Sequence, residues 1–152
     1  MSTMERLRVP ESIRMEHEKI HGRLVEATRR PGRVGEAARA LAEVLHPHFV
    51  REEEIALLPL ALLAPLAAGE SGPEMREVLP LTDALRSELP RMLEEHEAVA
   101  AAARRLARVA REEGDASAEA LAEALQLHAR AEEEVLYPAA LLVGEVVRAR
   151  RG

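Results

Sequence analysis

Apolar positions recur every three or four residues through most of the chain, and they group into four stretches, each predicting an amphipathic helix. The first stretch should begin near Pro10, well suited to a first turn, and run to about Arg30 before Pro31-Gly32. Its stripe is Ile13, His17, Ile20 and Leu24, with His21 beside it. The second runs from about Val34 to Leu58, with Leu41, Leu45, His48, Glu52 and Ile55 in phase. Pro47 lies inside it and predicts a kink or a broken start. A Pro- and Gly-bearing connection comes next, with room for a short helix of its own. The third helix is expected from about Thr82 to Glu113, carrying Leu89, Met92, Leu93, His96, Val99, Ala103 and Leu106. Gly114-Asp115-Ala116-Ser117 then reads as a stop followed by an N-cap. The fourth helix, over 117–149, carries Leu121, Leu125, His128, Glu132, Val135, Ala139 and Leu142. Four such helices with short links inside each half predict an all-α, antiparallel up-down four-helix bundle, a single domain over 1–152.

The two halves resemble each other. Glu16-His17-Glu18 matches Glu95-His96-Glu97, and His48 with Glu52-Glu53-Glu54 and Pro59 matches His128 with Glu132-Glu133-Glu134 and Pro138. His17 and His48 are 31 residues apart, and His96 and His128 are 32 apart. A repeated helix pair of this kind brings four histidine-bearing stripes to one central layer.

Composition agrees with helices. Apolar residues make up 47% of the chain, mostly Ala, Leu and Val, with one Phe, one Tyr and no Trp. The net charge of −6, with arginines interleaved among glutamates, argues against a nucleic-acid surface. The absence of cysteine removes disulfides, thiolate ligands and iron–sulfur clusters. The N-terminal stretch lacks the apolar core of a signal peptide. The longest apolar run, Ile55 to Ala68, is too short to span a bilayer and contains Pro59 and Pro65, so the expected compartment is the cytoplasm, away from any membrane.

Residues four apart share a helix face and can grip one cation or reach two neighbouring ones. His128 and Glu132 have that spacing, as do His17 and His21. Imidazole with carboxylate and no thiolate suits iron, manganese or zinc. A lone His-x3-acid pair carries little weight in a chain with 27 acidic residues among 152. Five histidines on or beside the apolar stripes of four helices carry more, because an unpaired polar ring there is costly. Core histidines satisfied by ordinary partners would be scattered in depth and unmatched between halves.

These residues resemble the hemerythrin-like (HHE cation-binding) domains. The phrase His128-Ala-Arg-Ala-Glu132-Glu133-Glu134-Val135-Leu136-Tyr137-Pro138 fits that family's His-x3-Glu-Glu-x2-apolar-aromatic-Pro signature, and the resemblance extends from His17 to Pro138. It implies a centre of two non-haem irons bridged by carboxylates and an oxo or hydroxo group, with zinc or manganese less favoured. The family's set appears with its halves exchanged: His96 as the single histidine, His128 and Glu132 as the bridging pair, His17 and His21 as the two-histidine helix, and His48 with Glu53 as the last pair. The register of that last pair is open. The commonest family spacing selects Glu52, in which case the second helix repeats the fourth. Counting back from Pro59 selects Glu53, which is slightly favoured, with Pro47 or a π-bulge supplying the rotation.

Two six-coordinate irons offer about twelve positions, of which five histidines, two bridging carboxylates and one bridging oxygen fill about eleven. The resemblance then implies reversible O2 binding at the open position, for storage, scavenging or sensing. Without His21 about two positions stay open, favouring peroxide or nitric oxide chemistry. A third possibility is iron handling like that of the family's repair proteins, whose cysteine-bearing N-terminal segment is missing here. A fourth is a helical interaction module with structural zinc, against which the surplus of histidines counts. His46, beside Pro47, should be turned off the ligand face. Tyr137 fills the aromatic slot as packing, with hydrogen bonding or redox activity as the alternative. Met4, Met15, Met75 and Met92 show no ligand pattern. Leucines between Leu57 and Leu66 either cover the core or support a homodimer in place of a monomer.

Overall fold

A computed structural model describes residues 7–150; Met4 and the start of the N-terminal stretch lie outside them. The chain forms α1 (Glu11–Thr28), α2 (Gly32–Arg51), a short α3 (Leu63–Ala67), α4 (Leu79–Glu113), α5 (Ala116–Ala131) and α6 (Tyr137–Ala149). Two π-helical turns, Glu52–Ala56 and Glu132–Leu136, extend α2 and join α5 to α6. The described residues thus build a four-helix bundle of α1, α2, α4 and the α5–α6 rod, with α4 packed on α2 and α5, and α1 packed on the same two. No helix among the described residues is long and apolar enough to cross a membrane.

The punctuation of the chain sets these limits. Pro10 accepts the first backbone N–H groups of α1, from Ile13 and Arg14, at 3.0 Å each. Gly114 closes α4 at φ +73°, a conformation only glycine adopts freely, and the Asp115 N–H then reaches Ala110 O at 2.8 Å. Asp115 also caps α5, its Oδ1 accepting from Ala118 N at 3.0 Å.

Three expectations need correction. Helix α2 runs unbroken through Pro47, so the irregularity lies instead in the π turn after it. Helix α4 begins at Leu79, with Pro80 in its first turn, three residues before the expected start. The apolar phase also shifts after each π turn. Leu57 N donates to Glu52 O at 2.9 Å, five residues back, and Tyr137 N reaches Glu132 O in the same way. Such a bond accommodates one extra residue per turn and rotates the remainder of the helix. Val135 and Leu142, expected on the core stripe, are therefore 58% and 61% exposed, while Tyr137, Ala140, Val143 and Val147 point inward.

The core is stacked in layers. One apolar cluster, around Leu24, Leu41, Leu45, Leu106, Leu121 and Leu125, fills the end near the α1–α2 and α4–α5 links. Another, around Leu57, Leu60, Leu85, Met92, Tyr137 and Ala140, fills the middle. The connection then folds back as 3-10 turns flanking α3, and Leu62 and Leu66 are buried with Val78, Val143 and Val147 as a plug on the far end. Between the first two clusters, on every long helix, lie the buried polar residues His17, His48, Glu52, His96, His128 and Glu132.

Leu125 and Leu127 sit two residues apart on α5, one fully buried and the other 68% exposed. Replacing Leu125 with Ala should cost about 2–5 kcal/mol in urea unfolding, and Leu127→Ala less than about 0.5 kcal/mol. Equal costs would mean that α5 turns a different face to the core.

Candidate metal centre

The last α-helical turn before each π turn sets the site. His48 and Glu52 lie one turn apart at the end of α2, and His128 and Glu132 do the same at the end of α5. The π turns start at the two glutamates and leave the carboxylates directed inward. His17 from α1 and His96 from α4 complete the layer. Ring nitrogens and carboxylate oxygens of His48, Glu52, His96 and Glu132 lie within 4.8 Å of one another, as do those of His17, His128 and Glu132. Glu132 belongs to both groups: Oε1 is 3.2 Å from His96 Nε2, while Oε2 is 3.1 Å from His128 Nε2 and 3.6 Å from His17 Nε2.

Each imidazole is oriented by a carboxylate on its other nitrogen. His48 Nδ1 meets Glu95 at 3.0 Å, His96 Nδ1 meets Glu133 at 3.0 Å, His17 Nδ1 meets Glu53 at 3.4 Å, and His128 Nδ1 meets Glu16. An ionised carboxylate only accepts, so each Nδ1 donates and each Nε2 faces the centre, free to ligate once any proton on it is lost, the arrangement that metal-binding imidazoles require. Arg51 in turn donates to Glu95. The repeated Glu-His and Glu-Glu dipeptides were the available signal for these outer carboxylates, which by sequence alone pass for solvated residues.

The electrostatics are those of a site built for cations. Burial alone would raise the Glu132 carboxyl, yet the side chains packed around it, Glu52, His128, His17 and His96, hold it well below the usual carboxylate range. Burial likewise disfavours charged imidazoles, but the enclosed glutamates outweigh it, raising His17 and His48 and pushing His96 up to about 10 and His128 up to about 9. Glu52 Oε1 and Glu132 Oε2 are buried without a hydrogen-bond partner. Two orphaned carboxylate oxygens facing four Nε2 atoms fit one or two bound metal ions, whose charge would offset their burial.

Two sequence candidates stand apart. Glu53, favoured as the acidic partner of His48, is exposed and engaged with the outer nitrogen of His17; Glu52 occupies the interior position because the π turn begins at it instead of preceding it. His21 is exposed on α1, since one helical turn beyond His17 its side chain passes out of the bundle toward the α1–α2 cleft. His46 is also exposed and outside both groups. Tyr137 is more than packing: its buried hydroxyl donates to Glu52 Oε2 and lies 3.0 Å from His96 Nε2 and 3.5 Å from His48 Nε2. Burial and the neighbouring glutamates raise its pKa far above the ordinary value, so it keeps its proton.

Comparison with known proteins gives one family: the model for the hemerythrin HHE cation binding domain matches residues 8–140. No curated protein and no solved structure gives a match.

This geometry makes two outcomes testable. Glu52→Ala should abolish full metal loading, whereas Glu53→Ala should retain the stoichiometry with affinity lowered about 10–100-fold, as expected for an orienting partner; metal analysis reversing that order would restore the Glu53 register. Metal binding needs neutral imidazoles, and the raised His96 and His128 hold protons at neutral pH. Adding metal to stripped protein in weak buffer at neutral pH should therefore release protons, and the release should diminish as pH rises through about 9 and about 10. A release independent of pH over that window would contradict the assignment.

Proposed function

The chain belongs to the hemerythrin HHE cation-binding family, and on that premise we propose that it is a cytoplasmic dinuclear non-haem iron protein whose centre takes a small ligand, foremost O2. The observation that carries this reading is the position of Glu132 between two groups of buried imidazoles, with a partnerless oxygen on each central carboxylate. His48, His96 and Glu52 would hold one ion, His17 and His128 the other, with Glu132 shared. Iron bound there would supply exchangeable coordination positions and a redox couple for O2, nitric oxide or peroxide. Imidazole and carboxylate donors without thiolate suit this metal, and six donor side chains exceed what a four-coordinate structural zinc needs.

Two features favour a second reading, in which the protein processes peroxide or nitric oxide instead of only holding O2. With His21 outside both groups, the side chains leave more positions open than the seven-residue set of the resemblance would. Tyr137 also keeps a proton on its buried hydroxyl, at hydrogen-bonding distance from Glu52 Oε2 and His96 Nε2. A hydroxyl that donates a hydrogen bond beside the ligands can stabilise the negative charge that reduction places on a bound oxidant. The layer's six polar side chains are almost wholly buried, which strengthens every polar interaction inside it.

The test is metal analysis of anaerobically purified protein, followed by titration with O2, nitric oxide and peroxide under visible spectroscopy. Two irons per chain with a spectrum that responds to one of these ligands is expected; zinc, or iron indifferent to all three, contradicts the proposal. His21→Ala should keep both irons, and loss of one would return His21 to the ligand set.

A further inference from the structure

The two halves of the bundle match at the metal-facing residues but differ around them. By the repeat, His21, His46 and Phe49 correspond to Ala100, Gln126 and Ala129, while Tyr137 corresponds to Leu57. All three ring-bearing residues of the first half border one cleft between α1 and α2. A cavity there of about 240 Å3 is lined by His17 itself together with Glu18, His21, His46, Phe49 and Glu53. It adjoins a second, apolar cavity of about 210 Å3 that shares His21, His46 and Phe49. The Phe49 ring lies flat on the His17 ring, centroids 4.3 Å apart and planes 6° apart, as a shutter between the cleft and the interior.

The two ion positions are also unequal. His48, His96, Glu52 and Glu132 form a four-residue group with the Tyr137 hydroxyl against it, and Arg51 secures the outer carboxylate of His48. His17, His128 and Glu132 form a three-residue group, with no arginine corresponding to Arg51, since Ala131 stands there. A further cavity of about 240 Å3 touches His128, but it is otherwise lined by aliphatic side chains and Glu16, which is already engaged with His128.

We infer that the α1–α2 cleft is the loading port of the centre: His21 and His46 receive a divalent metal ion and pass it beneath Phe49 to the His17/His128 position, which exchanges faster than the His48/His96 position. Glu18, paired with Arg14 on the same helix, and Glu53, whose carboxylate meets His17 Nδ1, line the cleft wall, and imidazole with carboxylate is a fitting first contact for ferrous iron. The exposure of His21 and His46, unsuited to holding a permanent ion, suits a transient one.

This inference rests on the dinuclear reading above, and the experiment separates the two. Stripped protein is mixed anaerobically with ferrous iron in a stopped-flow instrument, and loaded protein is separately challenged with a ferrous-specific chromogenic chelator. The native chain should bind two irons at saturation and release them in two phases. The exposed double variant His21→Ala/His46→Ala should reach the same stoichiometry but take up one iron several-fold more slowly, because the first-contact imidazoles are gone while the cleft's carboxylates remain. The variant His21→Asp/His46→Asp should recover fast uptake, and Phe49→Ala should accelerate the fast release phase. Two irons taken up at native rates by the double alanine variant, or released in one phase by the native chain, would overturn the port while leaving the centre intact. Fewer than two irons at saturation in the native chain would overturn the dinuclear reading and the port with it.

Discussion

Burying charge inside a helix bundle is the constraint on which this structure turns. Two carboxylates and four imidazoles occupy a layer where apolar side chains would pack at no electrostatic cost, and no cysteine is present to share the work. Mutual hydrogen bonding settles part of the cost: Glu132 stays ionised against its burial because protonated imidazoles surround it. One oxygen on each of Glu52 and Glu132 remains unmatched. A cation that displaces the imidazole protons is the species that satisfies both oxygens and all four Nε2 atoms at once. The outer carboxylates on the Nδ1 atoms make sense in the same terms, since they fix the tautomer that leaves Nε2 available.

Much of this was legible in the chain, for reasons that particular residues make clear. Helix count and pairing came from the three-to-four periodicity and from Pro31, Gly114 and Asp115, because turn chemistry is local. His17, His48, His96 and His128 announced themselves as polar residues on apolar stripes that match between halves. What could not be read was the phase after the π turns. A π turn inserts one residue without leaving a distinctive composition, so Val135 and Leu142 looked like core. Glu53 was attractive beside Glu52 because it precedes Pro59 by the same spacing as Glu132 precedes Pro138. His21, whose spacing from His17 suits a ligand pair, lies exposed and outside both groups, a placement that only tertiary packing shows.

The internal repeat has a consequence for chemistry. Matching helix pairs supply matching His/Glu pairs, yet the residues one layer out differ, so the two groups share Glu132 but little else. Tyr137 and Arg51 consolidate one side, while Phe49 and the open α1–α2 cleft border the other. A symmetric scaffold with an asymmetric surround leaves one group of metal-facing side chains enclosed and the other bordered by a cleft.

The most direct test of the central claim, that a metal ion holds this polar layer together, is calorimetry of the stripped and reloaded chain. Ligands that bind only the folded state raise its stability. Two equivalents of ferrous iron added anaerobically to chelator-treated protein should raise the midpoint of thermal unfolding markedly and sharpen the transition. An unfolding profile indifferent to the metal would mean that the buried carboxylates and imidazoles satisfy one another, and that the layer is structural.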